Sequence, residues 1–594
     1  MRLSVLLLAA IAGMAQNAPR PEYPQPQFQR DAWLSLNGQW EFEFDDAHAG
    51  VGENWPASTR KFSRNITVPF CFESKMSGIG DPSFHSEVWY RRSFTAPAAW
   101  KGKRVLLKFG AVDYRAWVWL NGRSLGFHQG GNVPFSFDIT SAMTSGPNSL
   151  VVRVEDPPTD RYIPRGKQYW EPKSRGIFYT RTTGIWQPVW LEATGASYLD
   201  HARMTAAMDG SLRIDAVIAN PAPGLTLTAR ILDGARTVAT AAAPAEAPRV
   251  SLLTGVPSPR LWSLANPNLY TVVFELSKDS VIDRVNSYTG FRSVAVENGK
   301  VTLNGRPTYL KLVLDQGYWP ESTLTPPSDE AIQYDIRMTK AMGFNGARKH
   351  QKVEDPRFLY WADKMGFLVS GEIANAYEFD DEYVRAITAE WTEAVQRDYN
   401  HPSIVIWNPI NESWGVPNLR DPRQQQHLRA MFTLTKSLDA TRLVIDNEGW
   451  EHTDLTDLFA IHDYARNGEI LWEKYKDVSA TGVVPPNARP ALAPGFEYNG
   501  TPLYLSEFGG IAFIPAGAKV PGESWGYSGV EKSAESALSR LRSQLTAIAR
   551  LGFAGFCYTQ ITDVEQEVNG LMTYDRKPKF PVEEVKAILD LVGQ

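Results

Sequence analysis

The pattern of apolar and polar positions changes about halfway along the chain. Up to about residue 297, short stretches alternate apolar and polar side chains and are separated by turn residues, as half-buried β-strands are. From residue 298 onwards, short apolar runs alternate with longer amphipathic segments, a pattern typical of strands alternating with helices. The sequence therefore predicts a multidomain protein of β and α/β class, in which β-sandwiches precede an α/β domain.

The β-rich part is predicted to form two sandwiches. Residues 22–198 contain many short strands and an Asn-Gly turn at 121–122, which favours a sandwich of the jelly-roll type. Residues 199–297 form a shorter β segment with a clean alternation over 212–218, which fits an immunoglobulin-like sandwich.

Residues 298–594 are predicted to form a C-terminal (β/α)8 barrel, the TIM barrel fold. Eight apolar strands are expected, with helices between them. The predicted strands lie at 308–312, 345–350 with its exit loop, 367–370, 403–407, 443–445, 458–461, 503–506 and 554–558, and three helices are predicted at 329–342, 356–365 and 381–400.

Two of these strands lead into a glutamate. The apolar run 403–407 is followed by Asn411-Glu412, and the run 503–506 is followed directly by Glu507. In a (β/α)8 barrel the carboxyl ends of the strands carry the catalytic groups. Two carboxyl groups that face one sugar can supply the proton and the anion that cleavage of a glycosidic bond requires. The pair therefore indicates a glycosidase.

Composition argues against several other classes of protein. The formal charge is −5 and no basic face is evident, so neither nucleic acid nor an anionic membrane surface is an expected partner. No apolar run is long enough to span a bilayer. The histidines and cysteines show no metal-ligand spacing, and we predict no metal site and no cofactor. Cys71 and Cys557 lie in apolar stretches of different predicted domains, which favours two buried free thiols over a disulfide.

The first residues have the pattern of a signal peptide. Arg2 is followed by an apolar run over 3–11 and by a small-x-small sequence at 13–15. We therefore expect residues 1–15 to be removed and the protein to be exported, to the periplasm or the extracellular space.

Motifs along nearly the whole chain carry a family resemblance. They are Leu-Asn-Gly-Gln-Trp at 36–40, Thr-Gly-Ile-Trp-Gln-Pro-Val-Trp at 183–190, Pro-Asn-Leu-Tyr at 267–270, Gly-Phe-Arg at 290–292, Leu-Asn-Gly-Arg-Pro at 303–307 and the stretch 400–412. Together they resemble glycoside hydrolase family 2, which includes β-galactosidases, β-glucuronidases and β-mannosidases. The resemblance implies a retaining mechanism with Glu412 as general acid/base and Glu507 as nucleophile. It also implies that Arg348 pairs with the nucleophile and that Asn411 binds the sugar 2-hydroxyl.

The two roles set requirements on the site. A retaining glycosidase holds its carboxyl groups about 5–5.5 Å apart. Glu412 must be held protonated by apolar or anionic neighbours, whereas Glu507 must stay ionised. An adjacent Arg348 guanidinium would lower the pKa of Glu507.

Other residues near predicted strand ends are candidates for substrate binding, with a structural role as the alternative for each. They are His350, Asp315, Glu372, His462, Tyr464, Trp414 and Tyr558. Tyr464 is a candidate to orient Glu507. By the resemblance, Tyr558 takes the place of a tryptophan that lies under the sugar. The loop 165–168 of the first sandwich is a candidate to reach the pocket.

The identity of the sugar is less constrained. β-Glucuronidases of the family grip the substrate carboxylate with an Asn-x-Lys pair, which residues 568–577 lack, and Arg576 and Lys577 are interpreted as structural. We expect an exo-acting retaining glycosidase with β-galactosides as the leading substrate. The alternatives are a glycosidase for another neutral sugar, including a furanoside, a less favoured β-glucuronidase, and a non-catalytic carbohydrate-binding protein. The expected partner is an oligosaccharide or glycoside, and a homo-oligomer is compatible with the sequence.

Overall fold

The computed structural model describes residues 18–518, 520 and 523–593. The predicted signal peptide, residues 1–15, lies outside the described residues. Within them, two β-sandwiches precede a (β/α)8 barrel, so the predicted fold class is confirmed.

The first sandwich packs a four-stranded sheet against a six-stranded sheet. In spatial order, the smaller sheet consists of Trp33–Ser35, Val189–Thr194, Arg104–Phe109 and Phe135–Asp138. The larger sheet consists of Arg64–Val68, Gly38–Phe44, Glu87–Phe94, Asn148–Glu155, Arg115–Leu120 and Arg123–Gln129. Gly184–Ile185 and Val112–Asp113 form a separate pair, and short 3₁₀ helices lie at Trp55–Ala57, Lys75–Ser77 and Ala98–Trp100. Apolar side chains from the inner faces form one core between the sheets.

The second sandwich has seven strands, as an immunoglobulin-like domain of the constant type does. One sheet consists of Tyr198–Ala206, Ser211–Ala219 and Arg249–Gly255, and the other of Arg236–Pro244, Thr226–Asp233, Tyr270–Ser277 and Val281–Thr289. Along Ser211–Ala219 every second residue is buried, which is the alternation that the sequence shows.

A small three-stranded sheet leads into the barrel. It consists of Val294–Glu297, Lys300–Leu303 and Arg306–Pro307. Val301 and Leu303 pack with Leu310 and Leu312 at the start of the first barrel strand. Apolar burial therefore closes the end of the barrel where the strands begin, and leaves the opposite end for the site.

The barrel has eight parallel strands in cyclic order. From first to eighth they are Leu310–Asp315, Gly346–Lys349, Leu368–Glu372, Ile404–Asn408, Leu443–Val444, Phe459–Asp463, Leu503–Gly509 and Gly555–Thr559. The helices are Asp329–Ala341, Pro356–Met365, Asp381–Asp398, Pro422–Leu438, Gly468–Tyr475, Val478–Thr481, Ala534–Ile548 and Val582–Leu589. A short parallel pair, Ala512–Phe513 with Val530–Glu531, follows the seventh strand.

The junction between the fifth and sixth strands departs from the regular β/α alternation. Residues 445–458, all of which are described, contain no helix. The Asp457 backbone N–H donates to the Val444 carbonyl at 2.9 Å, and the Val444 N–H donates to the Asp457 carboxylate at 2.7 Å. These two bonds connect the strands where the ladder of backbone bonds is interrupted.

Side chains alternate between the barrel interior and the surrounding helices. Leu312, Leu314 and Cys557 belong to the interior core, whereas Val313 and Phe556 pack in the layer between strands and helices. Most barrel strands continue one to three residues beyond the predicted apolar run, because polar residues at the strand ends remain in the ladder. The predicted helix 356–365 is confirmed with both bounds.

Both cysteines are buried and unbridged, as predicted. Among the described helices, none combines the length and the apolar character that crossing a bilayer demands.

Candidate active site

Four polar side chains from different strands converge at the carboxyl end of the barrel. Arg348 comes from the second strand, His462 from the sixth and Glu507 from the seventh, and Glu412 follows the fourth strand. One ligand atom each from Glu412, His462 and Glu507 lie within 4.8 Å of one another. The two carboxyl groups are thus closer than the roughly 6.5–9.5 Å that leaves room for a water between them in an inverting enzyme. Their closeness agrees with the short separation of a retaining pair.

Glu507 is a buried carboxylate held by three neighbours. Arg348 donates to one oxygen at 2.9 Å, the Tyr464 hydroxyl donates to the other, and His462 Nδ1 lies 3.5 Å from the latter. Burial alone would raise the pKa of Glu507, but His462, Arg348 and the Tyr464 hydrogen bond outweigh it and hold the pKa well below the usual carboxyl range. A permanently ionised carboxylate suits a nucleophile.

A β-bulge brings Glu507 to this position. The pairing register of the seventh strand shifts between Leu505 and Phe508 against the eighth strand. Against the sixth strand, the consecutive residues Ile461 and His462 pair with Leu505 and Glu507 and skip one residue of the seventh strand. A bulge inserts an extra residue and re-aims the side chains beside it. The outward direction of Leu505 and Phe508 is kept, while Glu507 enters the pocket.

Glu412 lies on a tightly turned backbone after the fourth strand. Glu412 and Ser413 have φ angles of 51° and 57°, in the left-handed region that side chains other than glycine seldom adopt. The Glu412 N–H donates to the Glu448 carbonyl at 3.0 Å, and the Glu448 N–H donates to the Ile410 carbonyl at 2.9 Å. The turn is therefore fixed by the segment after the fifth strand, and strain of this kind is common at functional sites.

His462 joins the two glutamates. Its Nδ1 lies 2.8 Å from Glu412 Oε1, and Arg348 lies 3.5 Å from its Nε2. Arg348 can only donate, so Nε2 accepts and Nδ1 carries the proton that points at the carboxylates. The sequence predicts an apolar or anionic neighbour for Glu412, and the structure instead places this imidazole beside it.

Arg348 is the buried centre of the site. Besides Glu507, its guanidinium donates to Glu372 and, at 2.6 Å, to the Asn411 side-chain oxygen. Glu448 lies 3.8 Å away. Although burial opposes ionisation, Arg348 and His350 lower the pKa of Glu372 to about 2, whereas burial raises the pKa of Glu448 to about 7. Glu372, a candidate for substrate binding, thus lies behind Arg348, and its oxygens pair with Arg348, His350 and the Gln351 N–H.

The side-chain amide of Asn411 uses its oxygen in a hydrogen bond and leaves its nitrogen without a partner among the described residues. Its Oδ1 accepts from Arg348, and its backbone N–H donates to the Asn375 side chain at 2.9 Å. Its Nδ2 is buried and has no hydrogen-bond partner among the residues that the structure describes. A donor held in this state is available to a ligand hydroxyl.

An aromatic wall extends the site towards the first sandwich. Trp414 is half-buried and contacts Tyr377 at 4.9 Å and Phe178 at 5.9 Å between ring centroids. His350, which pairs with Glu372 through Nδ1 at 3.0 Å, faces Trp414 at 6.3 Å.

The loop 165–168 of the first sandwich reaches the barrel, as the sequence suggests. The backbone N–H groups of Arg165 and Gly166 donate to the Asn375 carbonyl at 3.2 and 3.0 Å. A Cβ on Gly166 would lie 2.2 Å from the Gln351 carbonyl oxygen, so only glycine permits this approach. The loop brings Lys167 to 4.9 Å from the Trp414 ring.

Two predicted site residues lie elsewhere. Asp315 accepts from the Gly317 N–H at 2.8 Å with one oxygen and from the Lys349 ammonium group with the other. Both oxygens thus stabilise the fold and do not face a substrate. Tyr558 packs against Phe508 in the layer between strands and helices, with ring centroids 5.6 Å apart. The prediction that Tyr558 lies under the sugar is wrong, because strand alternation turns it outwards.

Three further residues lie at the site that the sequence pattern did not indicate. Thr559, next to Tyr558, lies 3.2 Å from the Tyr464 hydroxyl. Tyr527 stacks on Tyr464 with ring centroids 3.4 Å apart. Glu567 is fully buried and close enough to Glu507 for the charge of Glu507 to raise its pKa. The strand period could have revealed Thr559, whereas Tyr527 and Glu567 lie in irregular segments without a pattern.

Comparisons with known proteins cover most of the chain. Residues 33–179 match the sugar-binding domain of glycosyl hydrolases family 2, residues 198–292 the domain described as glycosyl hydrolases family 2, and residues 294–481 the family's TIM barrel domain. A β-galactosidase of Priestia megaterium is 27% identical over 465 residues, and one of Psychromonas ingrahamii is 26% identical over 493. These alignments cover 72% and 75% of this chain but 42% and 45% of the relatives. The chain thus spans less than half the length of these curated relatives.

Solved structures share the fold over nearly the whole chain. A β-glucuronidase from Ruminococcus gnavus, in complex with D-glucaro 1,5-lactone, superposes with a TM-score of 0.77. The superposition covers 96% of this chain and 99% of the other at 21% identity. At this identity the likeness concerns the fold alone.

Proposed function

The chain belongs to glycoside hydrolase family 2, and on that premise we propose that it is an exo-acting retaining β-glycosidase whose leading substrate is a terminal β-galactoside. The observation that carries this proposal is the close pair formed by Glu412 and Glu507. Their environments differ, which supports different roles.

In the first step, Glu507 would attack the anomeric carbon while Glu412 gives a proton to the departing oxygen. The resulting ester links the sugar to Glu507 with inverted configuration. Arg348 and Tyr464, which donate to Glu507, keep it ionised and fix the direction of its oxygens. Glu412 side-chain exposure of 14%, against 4% for Glu507, supports contact with the outgoing group.

In the second step, Glu412 would take a proton from water, and the water oxygen would attack the anomeric carbon. The bond to Glu507 breaks, and the configuration is restored. The free Asn411 Nδ2 group is suited to donate to the sugar 2-hydroxyl, a contact that strengthens as positive charge develops on the ring.

The basic residues near the C-terminus support a neutral sugar. The Arg576 guanidinium donates to the Tyr318 carbonyl at 2.6 Å and lies 3.4 Å from Asp335. Lys577 is exposed and pairs with Asp575 at 2.7 Å. Neither side chain contacts the catalytic carboxylates, so neither is placed to hold a sugar carboxylate. The names of the curated relatives add weight to a galactoside.

A panel of 4-nitrophenyl glycosides tests the activity, with retention followed by NMR of the first-formed anomer. Glu507→Gln should abolish turnover, and Glu412→Gln should form the glycosyl-enzyme from an activated substrate but release sugar slowly. A 2-deoxy-2-fluoro glycoside should label Glu507, as peptide mass spectrometry can show. The exposed Glu497→Gln serves as the control. Full activity of Glu507→Gln would overturn the mechanism, and no release of any sugar would favour the non-catalytic binding protein.

We also propose that the protein is exported, on the signal-peptide pattern of residues 1–15. Mass spectrometry of the protein recovered from separated cell fractions would test this. A protein found in the cytoplasm with residues 1–15 retained contradicts export.

A further inference from the structure

Lys167 is a buried cation without a polar partner. It is 5% exposed, and among the residues that the structure describes its ammonium group makes no hydrogen bond and no ion pair. The rings of Trp414 and Phe178 lie beside it, 4.9 and 5.9 Å from Nζ to the ring centroids, and supply cation–π contacts. These contacts leave the N–H donors of the ammonium group without an acceptor.

The other buried lysines are all paired. Lys349 and Lys352 both contact Glu354, at 2.7 and 3.1 Å, and Lys579 contacts Asp563 at 2.6 Å. Burying an unpaired charge is costly, so buried cations are nearly always compensated. Lys167 departs from this pattern at the wall of the catalytic pocket, which indicates that a ligand completes its bonding.

Glu567 offers acceptors in the same pocket. It is 1% exposed, the Tyr179 hydroxyl donates to one of its oxygens, and the Asn569 amide donates to the other at 2.9 Å. Each carboxylate oxygen can accept a further bond. Burial raises the pKa of Glu567, and the nearby charge of Lys167 opposes that rise. Tyr179 belongs to the first sandwich and Asn569 to the barrel, so both domains hold this carboxyl.

Tyr179 connects Lys167 with Glu567, because its backbone N–H donates to the Lys167 carbonyl at 2.9 Å and its hydroxyl donates to Glu567. The Lys167 and Glu567 side chains themselves do not touch. No ion pair within 4.0 Å joins them. Burial lowers the pKa of Lys167, and the negative charges of Glu567, Glu412 and Glu507 counteract it, so all three carboxylates act on this ammonium group. A donor and an acceptor are thus held apart beside the catalytic pair.

We propose that Lys167 and Glu567 form a recognition pair that binds hydroxyl groups of a neutral sugar and rejects sugar carboxylates. This rests on the proposed glycosidase function and specifies its substrate class. A hydroxyl group can accept from Lys167 and donate to Glu567 at once. A uronate would bring a negative charge towards the carboxylates of Glu567 and Glu507. Arg348 is already engaged by Glu372, Glu507 and Asn411, so the Lys167 ammonium group would have to offset this repulsion by itself.

The test compares substrates that differ by one hydroxyl. Wild type, Lys167→Met and Glu567→Gln are assayed on the neutral nitrophenyl glycoside that the panel identifies and on its 4-deoxy and 6-deoxy analogues. Each substitution should lower kcat/KM on the parent sugar about 10- to 100-fold, the range for a hydrogen bond to a charged group. On the analogue that lacks the recognised hydroxyl, kcat/KM should stay near the wild-type value, so the preference for the parent should disappear.

Two further measurements separate recognition from a structural role. Glu567→Gln should raise kcat/KM for the β-glucuronide relative to the neutral glycoside, because it removes one negative charge. Lys173→Met and Glu171→Gln, at exposed positions of the same loop region, should leave every ratio unchanged. If Lys167→Met does not fold, the neutral Lys167→Gln replaces it, and Glu567→Gln carries the same comparison independently.

Failure of this pair can be told from failure of the glycosidase function. An active wild type whose preference for the parent sugar persists in both variants overturns the pair and leaves the function intact. If wild type hydrolyses no glycoside, the function fails, and calorimetric titration with the free monosaccharides decides on the pair. Binding by wild type that Lys167→Met weakens at least tenfold supports it, whereas equal binding, or none by wild type, overturns it.

Discussion

His462 Nδ1 lies 2.8 Å from Glu412 Oε1, so the proton of the imidazole points at the candidate acid/base. The same atom lies 3.5 Å from Glu507. Because Arg348 occupies the other ring nitrogen, the imidazole cannot easily reverse its tautomer. One histidine therefore orients both carboxyl groups that the proposed reaction uses.

Substitution His462→Gln should slow reactions with poor leaving groups most. An alkyl glycoside needs the proton from Glu412, whereas a dinitrophenyl glycoside hardly does. We expect kcat/KM for the alkyl substrate to fall about 10- to 100-fold further than kcat/KM for the dinitrophenyl substrate. General acid catalysis contributes about 10²–10⁴-fold to the rate, and the substitution should remove only part of it. His201→Gln, at an exposed position of the second sandwich, is the control. An equal loss on both substrates would assign His462 to binding instead.

Tyr464→Phe should move the acid limb of the pH profile upwards. In wild type the neighbours of Glu507 hold its pKa well below the usual carboxyl range, so activity should persist into acid pH until another group titrates. Removing the Tyr464 hydroxyl removes one bond to the ionised form and raises the pKa of Glu507. The log of kcat/KM against pH should then begin to fall at a higher pH. Tyr498→Phe, which removes a hydroxyl bonded to a backbone carbonyl outside the site, should leave the limb in place.

Asn411→Ala should cost activity only on substrates with a 2-hydroxyl. The contact between Nδ2 and that hydroxyl is worth several kcal/mol in the transition state, so kcat/KM should fall by about 10²–10³. A 2-deoxy glycoside lacks the partner and should be hydrolysed by both proteins at similar rates. If both substrates slow equally, the loss comes from disturbing Arg348, to which Asn411 also bonds.

Glu390 should make stability depend on pH near neutrality. This carboxyl of the third barrel helix accepts from the Asn132 backbone and side chain of the first sandwich, at 2.7 and 2.9 Å. Burial raises its pKa from 4.5 to about 7, although the bonds from Asn132 oppose the rise. Since the folded form binds the proton more tightly, the stabilisation is fully present below the unfolded-state pKa and is lost as pH rises through about 7.

The difference between the pKa of Glu390 in the folded and unfolded protein corresponds to roughly 3 kcal/mol of the free energy of unfolding. Glu390→Gln keeps an acceptor for both bonds and cannot ionise, so its Tm should fall less than that of wild type between pH 5 and pH 8.5. Glu393→Gln, on the same helix but half-exposed, is the matched control. Parallel Tm curves for wild type and Glu390→Gln would show that other groups dominate.

The domain types and the convergence of Glu412 and Glu507 could be predicted from the sequence because each has a local signal. Alternation with period two marked the strands of the sandwiches, and the strands ending in Glu412 and Glu507 were continuous apolar runs. The pairing register at the strand ends, which decides the direction of each side chain, could not be predicted from these patterns. Tyr558 points outwards and Thr559 inwards, and a shift of one residue exchanges these directions.

Contacts between distant segments left no sequence signal. Asp315 is occupied by Lys349, a pairing that depends on how two neighbouring strands align. Tyr527 reaches the site from the connection between the seventh strand and its helix, by stacking on Tyr464. Lys167 lies more than two hundred positions from Glu412 along the chain, and only the docking of the first sandwich on the barrel brings it close. Such contacts follow from tertiary packing rather than from local pattern.

Because loop 165–168 docks on the barrel, two domains contribute to the candidate site. The barrel supplies Glu412 and Glu507, and the sandwich supplies a wall that is fastened to the barrel by Asn375 and by the glycine at position 166. Over evolution, substitutions in this loop could alter which glycoside is accepted while the reaction centre stayed untouched.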